Sequence, residues 1–202
     1  MPRKNITKDD KLAEKYLKAK TIGRGLIDNF YRTIENILKE IGVESILEVG
    51  CGPGFSTLYL SKFFRARKFE ASDVDFKIVK EARGRNPLID ITQESIYKLK
   101  RANNSFDLVI SLETLEHLER PEKALKELKR VTKNYCLLSV PREPLWRLLN
   151  VMRGKYCKNL GNTPGHINNW SKKKFIDLLG KYFKIKKIKT PLPWLVVLVQ
   201  KT

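Results

Sequence analysis

The sequence predicts an α/β protein: a doubly wound, mostly parallel sheet of seven strands with helices on both faces, in a single domain. Three observations carry this expectation. Residues 46–57 run from a short apolar segment through glycines at 50, 52 and 54 straight into an amphipathic segment, which reads as strand, tight turn and helix. Asp73 closes the next strand-like segment, about twenty residues past the turn, where an open α/β sheet places a ribose-binding acid. Short apolar segments then alternate with segments of helical period to the end of the chain.

Each element can be justified in order. Residues 1–24 read as a charged, lysine-rich arm with a helical stretch near 13–20. Between 26 and 41 the apolar positions Leu26, Ile27, Phe30, Ile34, Ile37, Leu38 and Ile41 fall on one helical stripe, and Gly42 ends it. Residues 1–42 are therefore expected to form a helical arm and cap, packed on the sheet and bordering its ligand crevice, ahead of a domain over 43–202. Strand 1 is expected at 44–49, and its following helix carries Leu58, Leu60, Phe63 and Phe64 to about residue 66. Strand 2 spans 68–73, and Asp75 suits the cap of the next helix. Strand 3 is placed at 88–92, extending towards Ser95. A turn at Asn104 leads into strand 4, ending near Ser111. Pro121 opens a helix to about 133 that buries Leu125, Leu128 and Val131. Strand 5 covers 135–140 and stops at Pro141.

Residues 141–170 interrupt the pattern. Apolar residues at 145, 148, 149 and 152 predict a short helix, and the glycine- and asparagine-rich stretch after it reads as loop. Ser171 then caps a helix carrying Phe175, Leu178, Leu179 and Phe183. Ile185 and Ile188 belong to strand 6, and 194–199 forms strand 7.

The chain has 202 residues, 42% of them hydrophobic, which is enough for one sizeable core. Three cysteines (Cys51, Cys136 and Cys157), odd in number and without C-x-x-C spacing, point to a reducing compartment and to no zinc site. A charged amino terminus and the shortness of the apolar run at 194–199 predict a cytoplasmic protein with no membrane span. The net charge of +19 is spread over at least two ends of the chain, mostly as lysine, with net +5 over 3–24 and net +7 over 172–189. A heat-adapted, lysine-rich surface and a face for polyanions both account for it.

The glycine turn itself admits a dinucleotide site, a purely structural turn, or a third reading. Glu48 stands two residues before the first glycine, and the spacing is G-x-G-x-G rather than G-x-G-x-x-G. In this the sequence resembles motif I of the class I S-adenosylmethionine-dependent methyltransferases, and of their type 11 family in particular. Ala71-Ser72-Asp73-Val74-Asp75 resembles the second motif, Ser105-Phe106-Asp107-Leu108-Val109 the S-F-D-x-V segment, and residues 113–118 the E-x-x-E-H-L stretch of the small-molecule branch. The resemblance covers residues from about Val43 onward and implies the Rossmann-like methyltransferase fold. It also implies S-adenosyl-L-methionine as cofactor, with S-adenosyl-L-homocysteine as product. On this resemblance Gly50, Cys51, Gly52 and Gly54 lie against the methionine part and Glu48 lies near the cationic donor. Asp73 takes the ribose hydroxyls beside Val74, Ser95 and Ile96 border the adenine, and Leu112 closes the site at the end of strand 4. Serine stands where the family usually has an acid for the adenine, with Glu94 one residue earlier.

Motifs for base-ring methylation are missing: no [D/N/S]-P-P-[Y/F/W] follows strand 4, and no cysteine occupies a position suited to attack a pyrimidine. The expected acceptor is a small or lipid-like molecule methylated on oxygen or nitrogen. RNA or another polyanion, reached through the lysine-rich surface, is the first alternative, and a non-catalytic cofactor-binding partner subunit the second. Glu113, Glu116 and His117 share one face at helical spacing, which suits a divalent metal, a histidine base oriented by a glutamate, or simply a hydrogen-bonded turn. Quinone-ring O-methyltransferases resembling this sequence use this stretch near the substrate. The insert at 141–170 is the expected substrate cover, and it carries Trp146, Arg147, Arg153, Lys155, Tyr156, His166 and Trp170. The candidate catalytic residues are Glu116, His117 and His166, and no metal is assigned.

Overall fold

The computed structural model describes residues 21–64 and 67–202. The helical stretch expected near 13–20 lies outside them. The elements run α1 (Thr21–Leu38), β1 (Ser45–Val49), α2 (Phe55–Phe63), β2 (Lys68–Asp73), α3 (Phe76–Arg85), β3 (Asp90–Gln93) and β4 (Phe106–Leu112). They continue with α4 (Pro121–Val131), β5 (Thr132–Pro141), α5 (Leu145–Met152), α6 (Lys172–Gly180), β6 (Phe183–Lys189) and β7 (Trp194–Lys201). Two short 3-10 turns, Leu115–His117 and Cys157–Asn159, flank α4 and α5 in the chain.

The strands form one sheet in the order β3-β2-β1-β4-β5-β7-β6. Every pair is parallel except β5–β7 and β6–β7, which are antiparallel. Alternation along the strands supplies two apolar faces. Leu47, Val109, Leu138 and Val197 point to one face and meet Leu125 and Leu128 of α4 and Phe175 and Leu179 of α6. Ile46, Leu108, Leu137 and Val196 point to the other and meet Ile34, Ile37 and Leu38 of α1 and Leu60 of α2. A smaller cluster seats Val79 and Ala82 of α3 on Ala71 and Ile91. The leading helix α1 is thus part of the core, as its stripe predicts. Among the described residues no helix is long and apolar enough to cross a membrane.

Several boundaries differ from the sequence expectation: Phe183, expected in the helix capped by Ser171, opens β6 because that helix stops at Gly180, α4 stops at Val131, and α2 stops at Phe63. β3 starts at Asp90 rather than 88, because residues 86–89 make a turn in which the Ile89 N–H reaches the Asn86 carbonyl and Leu88 is exposed. β5 starts at Thr132 because the register with β4 already pairs Phe106 with Thr132. The caps fall where the sequence puts them: Asp75 accepts from the Lys77 and Ile78 N–H groups, and the Ser171 hydroxyl accepts from Lys174.

The order reverses between β1 and β4, so the loops after these two strands diverge and leave a crevice at their carboxyl ends. At the start of the pair the Asp107 carboxylate accepts from the Glu44 and Ser45 N–H groups and from the Ser45 hydroxyl, fixing the register. At the far end the chain turns through Gly50 to Gly54. Gly54 has φ 81°, and a Cβ there would sit 2.5 Å from the Asn86 Nδ2 and 3.1 Å from Ala82. The Asn86 amide in turn donates to the Gly54 carbonyl at 2.9 Å, locking the turn against α3. Glu48 is fully buried beneath the turn, where it accepts from the hydroxyls of Ser56 and Thr57 in the first turn of α2. Burial raises its carboxyl to about 7, against the pull of those two hydroxyls.

Gly54→Ala combines a left-handed backbone with that collision, so it is expected to cost about 1–3 kcal/mol of stability, read from denaturant unfolding. Glu48 has a folded-state pKa above its unfolded one. Its contribution is therefore full below the unfolded value near 4.5 and is lost as pH rises through about 7. Thermal unfolding of the wild type and of Glu48→Gln between pH 5 and 8.5 is expected to show the variant gaining on the wild type as pH rises, by a total of order 2–3 kcal/mol. A pH-independent difference would remove the buried, proton-holding role of Glu48.

Candidate functional site

A cavity of about 520 Å³ lies at the carboxyl ends of β1 and β4. Its floor is the turn from Gly50 to Pro53 with Phe55 and Ser56 of α2, and one wall is Leu112, Glu113, Glu116 and His117. The two loops touch: a Cβ on Gly50, which has φ 76°, would come within 2.5 Å of the Thr114 Oγ1. Glycine is required there by both the backbone and the space. The other walls come from Phe30 and Tyr31 of α1, Trp146 and Arg153 around α5, His166, and Trp194 of β7.

The expected cofactor residues divide by position. Gly50, Cys51, Gly52 and Leu112 line the cavity. Cys51 is buried, and that burial pushes its thiol far above the usual range. Gly54 and Glu48 stand behind the lining and shape it. Asp73, at the end of β2, holds the turn from outside: one carboxylate oxygen accepts from the Gly52 N–H at 3.0 Å and the other from the Asp75 N–H at 3.1 Å. A carboxylate has about four acceptor sites, so two remain for a diol. Val74 is exposed beside it. Ser95 accepts from the Tyr97 N–H, whereas the Ile96 side chain is buried in the core with Leu99. Glu94 is buried and accepts from the Lys100 N–H, with the Arg101 guanidinium 3.6 Å away. Those contacts give Glu94 a structural occupation.

Glu113 has φ 53°, a left-handed backbone in a residue with a long side chain. It is held there by Ser139, whose carbonyl accepts the Glu113 N–H at 3.2 Å and whose hydroxyl donates to the Glu113 carboxylate at 2.8 Å. Instead of a continuous helical face, the chain therefore makes a kink at Glu113 followed by the 3-10 turn Leu115–His117. Glu116 is buried, and its Oε2 has no hydrogen-bond partner. Desolvation, with the mutual repulsion of Glu113 and Glu116, raises Glu116 well above the carboxylate range, and burial raises Glu113 likewise.

The insert is fastened to this turn. The Glu116 carbonyl accepts from the N–H groups of Ile167 and Asn168 at 2.9 and 3.0 Å. The Asn168 amide donates to the carbonyls of Leu115 and Leu118, and His117 Nδ1 lies 2.8 Å from the Gly165 carbonyl. These bonds bring His166 to His117, with ring centroids 4.9 Å apart and nearly perpendicular, and set its other side against Trp146. Partial burial and the neighbouring His117 lower His166 to about 4, so its imidazole is neutral at physiological pH. All three expected catalytic residues thus share one wall.

Sequence reasoning did not single out Trp194 or Phe30, whose rings lie 4.8 Å apart in the cavity wall. A signal existed for Trp194. A strand antiparallel to β5 begins where the parallel strands end, and Trp194 pairs with Pro141 at that edge.

Residues 47–139 match a family model described as a methyltransferase domain. A probable S-adenosylmethionine-dependent methyltransferase of Mycobacterium tuberculosis is 30% identical over 95 residues, 47% of this chain and 34% of that protein. A malonyl-[acyl-carrier protein] O-methyltransferase of Brevibacillus brevis is 25% identical over 127 residues, 60% of this chain and 46% of that protein. This chain therefore spans from about a third to under half of these relatives' lengths. The crystal structure of a SAM-dependent methyltransferase from Aquifex aeolicus superposes with a TM-score of 0.66 at 22% identity, covering 83% of this chain and 89% of that one. With the glycine turn at the β1–β4 switch point, these matches show a methyltransferase domain over residues 47–139, on a fold shared with Rossmann-like S-adenosylmethionine-dependent methyltransferases.

Proposed function

We propose that the chain transfers a methyl group to an oxygen or nitrogen of a small or lipid-like acceptor. The supporting observation is that one cavity joins the glycine turn to the Glu113–Glu116–His117–His166 wall, so donor and acceptor share a single chamber. S-adenosylmethionine, the family's cofactor, supplies an electrophilic methyl group when bound. The residues present fit that group. The turn offers bare backbone at Gly50 and Gly52, and the first turn of α2 has no side-chain cap competing for its N–H groups. Asp73 keeps acceptor sites for ribose hydroxyls. Leu112, Phe30 and Trp194 form an apolar wall that excludes water from a cationic sulfur centre.

The lining supports this acceptor class. Among the described lining residues there is one arginine, Arg153, and no lysine, while Phe30, Tyr31, Phe55, Trp146 and Trp194 are aromatic. Such walls suit a planar or acyl body with one polar end better than a nucleic-acid backbone. The insert at 141–170 acts as the acceptor's cover. We assign residues 1–42 to an arm and cap and 43–202 to the catalytic domain.

Asp73→Ala is expected to weaken S-adenosylmethionine binding by about 1.5–3 kcal/mol in calorimetry, the scale of hydrogen bonds to a charged group. Unchanged affinity removes Asp73 from the cofactor site. Incubation of the purified protein with radiolabelled methyl donor and fractionated extract is expected to label the metabolite or lipid fraction. Label confined to RNA or protein overturns the acceptor class. Donor binding without any transfer overturns catalysis by the isolated chain.

A further inference from the structure

We propose that Glu116, His117 and His166 form a divalent transition-metal site whose open positions face the acceptor. One ligand atom from each of the three lies within 4.8 Å of the others. The inference rests on four independent features of the wall.

The first is the orientation of His117. Its Nδ1 lies 2.8 Å from the Gly165 carbonyl, an oxygen that only accepts, so Nδ1 carries a proton and, in the neutral ring, Nε2 keeps its lone pair. That Nε2 lies 3.9 Å from the Glu116 carboxylate. A backbone carbonyl on one ring nitrogen with the other left for the ion is the usual outer-shell arrangement of a metal-binding histidine. The second is Glu116 itself: a side chain about nine-tenths buried or more, with one carboxylate oxygen lacking any hydrogen-bond partner. An orphaned buried acceptor costs about 1–3 kcal/mol unless something fills its place.

The third feature is charge. Glu113 and Glu116 are neighbouring buried acids, and among the described residues neither has a lysine or arginine ion pair. In a chain of net charge +19 that absence is unexpected, and it leaves the wall free of any competing cation. The fourth is His166, which is held in place by the backbone bonds from Ile167 and Asn168 to the Glu116 carbonyl. Two imidazole nitrogens and one carboxylate oxygen suit Mn²⁺, Fe²⁺ or Zn²⁺ better than Mg²⁺ or Ca²⁺. Bonds of about 2.0–2.2 Å require donor atoms roughly 3–3.5 Å apart, so the three ligand atoms draw together when the ion binds.

This site deepens the methyltransferase reading and rests on it for its chemical role. An acceptor hydroxyl bound to the ion becomes more acidic and gives its proton to water. Its lone pair then forms the O–CH₃ bond as the donor's S–CH₃ bond breaks, and that bond's electron pair stays on sulfur, leaving a neutral thioether.

The test separates the site from the activity. Tag-free, chelator-treated protein is titrated with Mn²⁺, and free ion is counted from its electron paramagnetic resonance signal. One bound Mn²⁺ per chain is expected, with the dissociation constant raised at least tenfold in Glu116→Gln and in His166→Gln. His166 lies on a half-exposed loop, so its variant serves where the buried Glu116→Gln does not fold. No saturable one-to-one binding overturns the site, and so does binding that survives in a folded variant. S-adenosylmethionine affinity, measured on the same samples by calorimetry, reports on the methyltransferase reading separately: its loss with Mn²⁺ binding intact overturns that reading and leaves the metal site standing.

Discussion

The structure depends on the parallel pairing of β1 with β4 at the middle of the sheet. Asp107 ties the starts of the two strands together through the Glu44 and Ser45 amides. Their ends are brought so close that Gly50 has no room for a Cβ beside Thr114. Because the strand order reverses here, the helices that follow leave in opposite directions and the two loops cannot fill the gap between them. The cavity is a consequence of that topology. Its chemistry is a consequence of which residues happen to end these two strands: a glycine turn on one side, and Glu113, Glu116 and His117 on the other.

Buried carboxylates set the electrostatic character of the site. Glu48 is satisfied by two hydroxyls from α2 and serves to hold the helix start under the turn. Glu113 is satisfied by Ser139, at the expense of a left-handed backbone. Glu116 is the exception, with one oxygen unpaired in the cavity wall. Three acids buried within one short region all carry raised pKa values, and each was placed by a different strand or turn. The insert adds a neutral imidazole from the other side, and it is anchored by backbone bonds rather than by side-chain contacts alone.

The fold was legible because its determinants are local. The stripe of α1, the strand–turn–helix at 45–63, the proline at the start of α4 and the Asp75 and Ser171 caps each depend on residues within a few positions of one another. The boundary of β3 was misplaced because Leu88 looks like a strand residue while Pro87 and the Asn86 turn keep it out of the sheet. In the site, the glycine turn and the acids at 113 and 116 were likewise visible as spacing. Their geometry was not. The expected single helical face is in fact a kink at Glu113 and a 3-10 turn, because Ser139 of β5, some 26 positions away, captures the Glu113 backbone and side chain.

The sequence by itself determined the class of sheet, the position of the glycine turn and the resemblance to methyltransferases, since these rest on short-range patterns of glycine, acid and apolar period. Only the tertiary structure decided that His166 stands against His117 and Glu116, and that Trp194 and Phe30 close the same cavity. Those residues are separated by long stretches of chain. They meet because the antiparallel β7 starts where the parallel strands end, and because the insert's amides have the Glu116 carbonyl as their acceptor. Such pairings are fixed by hydrogen bonds between distant segments, which no local pattern of residues encodes.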